Sequence, residues 1–257
     1  MTDGNNELQK IAIVTGGSRG LGRNTAINLA ERGVDLILTY HENKNEADKV
    51  VAEIERLGRK AAAFQLDMGD TSAFDGFVAH VKETLSAWGR ERFDYLVNNA
   101  GIGLHASFAE TSEEDFDLLY RIHLKGPYFL TQTLLPLLAD GGRIVNLSSG
   151  LARFSLPGMS AYASMKGAVE VLTRYLAKEL GDRGIAVNTV APGAIETDFS
   201  GGVVRDNQEM NERVASMTAM GRAGLPDDIG PMIADLLTGG NRWVTGQRIE
   251  VSGGMFV

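Results

Sequence analysis

The stretch "IAIVTGGSRGLGRNTAINLAERG", residues 11–33, decides the fold. Its opening, "IAIVTGG" (11–17), is a short apolar run that ends in glycines, the pattern of a buried strand. Its close, "LGRNTAINLAERG" (21–33), has Ala26, Leu29 and Ala30 at helical spacing and stops at Gly33. Between them, "TGGSRGLG" (15–22) sets Gly16, Gly20 and Gly22 in the spacing GxxxGxG. Backbone without Cβ atoms at a strand-to-helix turn lets a pyrophosphate approach the free N–H groups of the helix N-terminus. No Lys-Ser/Thr follows the last glycine, so the turn is not a P-loop, and the spacing is not GxGxxG either. A glycine turn alone is a weak signal, because an empty strand-to-helix turn has the same composition.

The same alternation runs through the chain. "VDLILTY" (34–40), "KAAAFQLD" (60–67), "FDYLVNNAG" (93–101), "GRIVNLSSG" (142–150), "GIAVNTVAPG" (184–193) and "QRIEVSGG" (247–254) read as further strands. Helical patterns fall at 46–58, 71–88 and 160–181, and a long helix begins near Ser112, where "SEED" offers a cap with acids in the first turn. Strands alternating with helices imply an α/β, Rossmann-type doubly wound parallel sheet of about seven strands with helices on both faces. With no internal repeat or linker, residues 1–257 make one domain, carrying a flexible tail at 1–9. In such a sheet, ligands bind beyond the carboxyl ends of the strands. Those ends carry Thr15-Gly16, Tyr40-His41, Asp67, Asn98-Asn99, Ser148-Ser149 and Ala191-Pro192-Gly193.

Composition narrows the function. The net charge is −8, from 33 acidic and 25 basic residues, which argues against broad binding to nucleic acid or anionic membranes. Cysteine is absent, so disulfides, thiolate catalysis and cysteine-ligated metals are excluded. The four histidines (41, 80, 105, 123) show no ligand spacing, and no metal site is expected. The start of the chain has no apolar core of a signal peptide, and the longest uncharged stretch is too short to span a bilayer. A cytoplasmic location is the expectation.

"SAYASMK" (160–166) places Tyr162 and Lys166 four residues apart, on one helical face. With Thr15 and the glycine turn, "NNAG" (98–101), Ser149, "YASMK" and "PGAIET" (192–197) in this order, the chain resembles the short-chain dehydrogenase/reductase family over nearly its whole length. It also looks like the family's reductases of 3-oxoacyl thioesters of acyl carrier protein. The resemblance implies an oxidoreductase that interconverts a carbonyl and a secondary alcohol by hydride transfer. In that reading Tyr162 is the general acid/base, Lys166 lowers the phenol's pKa and holds the nicotinamide ribose, and Ser149 hydrogen-bonds the substrate oxygen. It further implies that Asp67 and Met68 meet the adenine, that Asn98, Asn99, Ala100 and Gly101 wall the cofactor, and that Pro192, Gly193, Ile195 and Thr197 receive the nicotinamide carboxamide. Thr15, Gly16, Ser18, Arg19, Gly20, Leu21 and Gly22 complete the cofactor set.

The choice of dinucleotide turns on the end of the second strand. NAD sites of this kind place an acid there for the ribose 2′-hydroxyl. Here Tyr40 and His41 stand there instead, with Glu42 beyond. Arg19, inside the glycine turn, suits a 2′-phosphate, with Lys44 a weaker second candidate. NADP(H) is therefore favoured over NAD(H). An NAD-dependent dehydrogenase of a small alcohol or sugar and a cofactor-sensing regulator without chemistry are the alternatives.

His123 departs from the family, which usually has an asparagine there to place a water behind the catalytic lysine. Either His123 weakens that relay, or the relay needs only the backbone carbonyl, freed because Pro127 has no N–H to give it; an imidazole titrating near neutrality could also join it. Residues 198–224 read as a lid over the substrate, opposite an apolar wall at Leu151–Met159. Arg183 is a candidate to receive an acidic carrier protein, although Asp140 sits where a second base would help. Val171 and Tyr175 form a second apolar face on the helix at 160–181, which implies a dimer or a homotetramer.

Overall fold

The structure, a computed structural model, describes residues 9–257; the tail reading falls, apart from Gln9, outside the described residues. Among the described residues there are seven strands: β1 (Ile11–Val14), β2 (Asp35–Tyr40), β3 (Ala61–Gln65), β4 (Phe93–Asn98), β5 (Leu138–Leu147), β6 (Ala186–Pro192) and β7 (Arg248–Val251). They form one sheet in the order β3-β2-β1-β4-β5-β6-β7, parallel throughout. The chain winds outward from β1 in one direction to β3 and then from β4 in the other to β7. The switch point between β1 and β4 therefore opens a crevice at the carboxyl ends of the strands.

Successive strand residues point to opposite faces, and each face finds its own helices. On one side Val14, Leu36, Leu38, Val97 and Val145 pack with Ala26 and Leu29 of α1 (Gly20–Glu31), Val50 and Ile54 of α2 (Lys44–Arg56), and Ile229 and Ile233 of α9 (Pro226–Thr238). On the other, Ile13, Ile37, Leu96, Ile144 and Val187 meet Phe77, Val81 and Leu85 of α3 (Phe74–Ala87) and Leu130 and Leu134 of α5 (Gly126–Leu134). Both layers are fully buried, which is why these strands are apolar runs rather than alternating ones.

Three elements differ from the sequence reading. The strand read from Gly142 starts at Leu138, paired with Phe93; Asp140-Gly141-Gly142, which looks like a turn, is a bulge where the register shifts. The helix read from Ser112 is capped there, Ser112 accepting the Asp115 N–H, but it is not continuous. α4 (Glu113–Tyr120) passes through a π-turn at Arg121–Lys125, where the Gly126 N–H reaches Arg121 O, five residues back, before α5 begins. α9 was not read at all. Gly230 and Pro231 mask it, although Pro226 at its first turn followed by Asp227 and Asp228 is a start signal. α6 (Ser160–Glu179), α7 (Val203–Asp206) and α8 (Gln208–Ser216) fall where a helix and a lid were expected.

Candidate active site

The glycine turn is held from behind by buried polar groups. Thr15, fully buried, accepts the Asn99 and Ala100 N–H groups at 3.0 Å each, and its hydroxyl lies 3.3 Å from Val97 O. The Asn99 amide donates to Thr15 O at 2.8 Å and to Gly16 O at 3.2 Å. Gly16 and Gly20 adopt φ values of +65° and +54°, a region that favours glycine. A Cβ on Gly22 would lie 2.2 Å from Gly16 O and 2.5 Å from the Asn99 amide, so this position admits no side chain. The turn therefore needs its glycines to pack against β4 as well as to leave space in front.

In front lies a cleft of about 1160 Å³. At one end it is walled by Gly16, Ser18, Arg19, Gly20, Leu21 and Gly22, then by Tyr40, His41, Asp67 and Met68. Asn99, Ala100, Gly101, Pro192, Gly193, Ile195 and Thr197 form its middle, and Ser149, Tyr162, Lys166 and His123 its far end. Two expected cofactor residues do not reach it. Thr15 is committed to the bonds above, and the Asn98 amide donates to Thr131 at 3.0 Å and Asn146 at 2.8 Å inside the sheet. Both support the wall rather than line it.

The cleft fits a dinucleotide. α1 has no acid in its first turn and no side-chain cap, so its positive end faces the cleft uncompensated. A Cβ on Gly20 would meet only Thr197, at 3.6 Å, so the turn and the 193–197 loop face each other across a gap. Arg19 is exposed at this helix start and pairs with no described carboxylate. Lys44 is instead held by Asp48 at 2.8 Å. His41 lies 3.7 Å from Glu42 and 3.9 Å from Asp67.

At the far end, Tyr162 and Lys166 are both buried, one helical turn apart on α6. Lys166 donates to Leu147 O at 2.8 Å, and its ammonium sits 5.5 Å from the centre of the Tyr162 ring. Ser149, at the end of β5, interacts with the Tyr162 hydroxyl and also accepts the Leu151 N–H. The expected lowering of the phenol by Lys166 is not what the chain alone produces. Burial pushes Tyr162 above the usual tyrosine range, and only the Ser149 contact works against this. Burial also pulls Lys166 down to about 7, so the ammonium is itself costly to keep charged and is turned toward a carbonyl. The phenol is consequently kept as a proton donor.

His123 does not titrate near neutrality. Burial first, then the Lys166 charge, lower it to about 3. Its neutral ring lies 2.8 Å from Ile102 O through Nε2, edge-on to Tyr162 with ring centres 5.1 Å apart, and its Nδ1 is buried without a partner among the described residues. A Cβ on Gly101 would come within 2.6 Å of Cε1 of this ring, so the imidazole fills the space a side chain there would need. Pro127 has no N–H to give to a carbonyl four or five residues back, His123 or Ile122 in this widened turn.

The structure also brings in residues that sequence reasoning missed. Glu170 accepts from Ser148 at 2.7 Å and pairs with Arg248 at 2.7 Å, and Arg248 reaches Ser149 O at 3.3 Å, bracing the strand end that carries Ser149. In the segment 198–224, expected to be a lid, Met210, Arg213, Val214 and Met217 line the cleft at i, i+3, i+4 and i+7, a helical stripe visible in the sequence. Opposite stand Leu151, Phe154, Leu156 and Met159, inside the segment expected to be an apolar wall. Arg183, expected to be free for a carrier protein, is committed to Asp140 at 2.8 Å and to the Leu135 and Leu138 carbonyls.

This fold and cleft belong to a dinucleotide-dependent oxidoreductase class, and comparison with known proteins gives the family. A family model described as enoyl-(acyl carrier protein) reductase matches residues 16–256. The short-chain dehydrogenase/reductase FrzI of Cladobotryum sp. is 38% identical over 253 residues, spanning 96% of each chain. The solved structure of the promiscuous reductase LugOII, which catalyses keto-reduction at C1 during lugdunomycin biosynthesis, superposes with a TM-score of 0.92 at 37% identity, covering 96% of this chain and 98% of that one. The angucycline C-6 ketoreductase LanV, solved with bound NADP, has a TM-score of 0.89 at 34% identity, covering 96% and 95%. The chain belongs to the short-chain dehydrogenase/reductase family and is an oxidoreductase. No helix of the described residues is long and apolar enough to cross a membrane.

Proposed function

We propose that the chain is an NADP(H)-dependent ketoreductase in which Tyr162 is the proton donor. The observation that carries this reading is the meeting of Ser149, Tyr162 and Lys166, from two different elements, at the far end of the cleft that begins at the glycine turn. When bound, the nicotinamide supplies hydride to the carbonyl carbon or accepts it from the alcohol. Tyr162 gives its phenolic proton to the carbonyl oxygen as negative charge develops there. Burial raises the phenol's pKa and keeps it protonated before transfer, while the Ser149 contact works against that rise. Ser149 offers a second hydrogen bond to the same oxygen. Lys166 steadies the phenolate that is left behind, and protonation of its amine near pH 7 allows a proton to return.

Arg19 supports the preference for NADP(H). It is an exposed cation at the α1 N-terminus without a carboxylate partner among the described residues, while Arg23 is held by Glu53 and Lys44 by Asp48. LanV, with bound NADP, is similar in fold. A regulator without chemistry would have no reason to hold Ser149, Tyr162 and Lys166 in one buried group. A second copy fits the exposed side of α6, where Val171 is 45% and Tyr175 64% exposed; light scattering that returned a monomer at micromolar concentration would refute this assembly. A panel of ketones with NADPH and NADH, followed by absorbance, tests the main reading. Oxidation of NADPH on at least one ketone, faster than that of NADH, is expected. Absence of turnover with either cofactor would overturn it.

A further inference from the structure

The two ends of the cleft differ in the walls between their charges. The glycine-turn end has Arg19, Glu42 and Asp67 in its walls. At the substrate end, beyond Ser149, Tyr162 and Lys166, the walls include Leu118, Phe154, Met159, Met210, Val214 and Met217. Two aromatic rings crowd the same end, Phe199 lying 5.9 Å from the Tyr162 ring and Phe154 tilted against Phe256 with ring centres 4.7 Å apart. Sulfur and ring surfaces of this kind favour a flat, polarisable apolar body.

Two charged side chains of the lid enter this end, Asp198 and Arg213. Asp198 is already neutralised, since Arg205 bonds it. Arg213 pairs with no described carboxylate. Of the neighbouring acids on α8, Glu212 takes the Gln208 amide, and Glu209 forms no ion pair with a described residue. So an exposed guanidinium, unpaired among the described residues, stands on the helix face that lines the cleft, beside Met210, Val214 and Met217, in a protein of net charge −8. A planar fork of donors at the mouth of an apolar slot matches a carboxylate or another delocalised oxyanion.

Resting on the ketoreductase reading, we propose that the substrate is a ring ketone that carries an acidic group, a carboxylate or an ionised ring hydroxyl, away from the carbonyl, and that Arg213 binds that group. The carbonyl lies against Tyr162 and Ser149, the ring fills the slot between α8 and the Leu151–Met159 wall, and the anion reaches the lid. Arg213 is thereby a specificity-determining residue that acts on substrate binding and leaves the hydride step to the residues at the far end.

The test uses the full chain with NADPH and two probes: a tetralone bearing a carboxylate on its far ring, and the matching methyl ester. Wild type is expected to show a KM for the acid at least tenfold below that for the ester. Arg213→Ala should erase that preference by raising the acid's KM, Arg213→Lys should keep part of it, and NADPH affinity should hold in both variants. Equal KM values for acid and ester in wild type, or a preference that survives in Arg213→Ala, would overturn the proposal and leave the reductase reading standing. Reduction of open-chain ketones but of neither tetralone would overturn it in the same way. Failure to oxidise NADPH with any ketone would instead defeat the underlying reading.

Discussion

The two sides of the cleft are built by different means. The sheet side is fixed by contacts that leave no freedom: Gly22 against Gly16 O, Asn99 on the Thr15 and Gly16 carbonyls, and Lys166 on Leu147 O. The lid side is held by exposed charge pairs such as Arg205 with Asp198 and Asp206, and it faces the cleft with methionines. Buried, saturated hydrogen bonds and close backbone approach specify one geometry. Exposed ion pairs contribute little, and methionine adapts to what it touches. On the proposed reading, the chemistry falls to the rigid side and recognition of the substrate to the adaptable one.

Substitutions at matched positions on the two sides should separate them. The largest effect is expected for Gly22→Ala, whose new methyl would strike backbone at 2.2 Å. It should cost about 3 kcal/mol of stability, read by denaturant titration, and abolish dinucleotide binding. A variant as stable as wild type would mean that the turn is not packed as described.

The next effect is pH-dependent. His123 binds its proton near pH 3 in the folded state and near 6.5 when unfolded, so between these values the unfolded chain takes up a proton that the folded chain refuses. Its contribution to stability is therefore complete above pH 6.5 and is lost as pH falls toward 3, at up to about 1.4 kcal/mol per pH unit. His123→Asn should flatten that slope while changing the rate less than about tenfold. An unchanged slope would contradict the buried neutral ring.

On the lid, Gly201→Ala meets no atom within 4 Å and suffers only from its φ of +72°, which predicts a cost of about 1 kcal/mol. Arg205→Ala, which breaks exposed pairs, should cost less than about 1 kcal/mol. Either change proving as damaging as Gly22→Ala would erase the contrast between the two sides.

Much of the rigid side could be read from the sequence because its signals are local. A glycine spacing, an apolar run and a Tyr-Lys pair each lie within a few residues, and the fold rule that ligands bind at strand ends assembled them. What escaped depends on contacts between distant residues. Thr15 and Asn98 sit in the right motifs but face inward, a matter of which side of the strand end is solvated. The direction of the Tyr162 shift was misjudged because neighbouring charge can be seen in a sequence and depth of burial cannot. Arg183 looked free until Asp140, brought near by the bulge in β5, took it. The lid stripe at Met210, Arg213, Val214 and Met217 was legible in principle, but polar residues around it hid the periodicity.

The most direct test of the central claim is Tyr162→Phe, which removes one buried hydroxyl and keeps the ring against His123 and Phe199. Ketone-dependent NADPH oxidation should fall roughly a thousandfold, within the range for loss of a positioned acid, while NADPH affinity, measured by fluorescence, stays within about twofold. Turnover retained near the wild-type rate would show that the proton comes from elsewhere and would contradict the account.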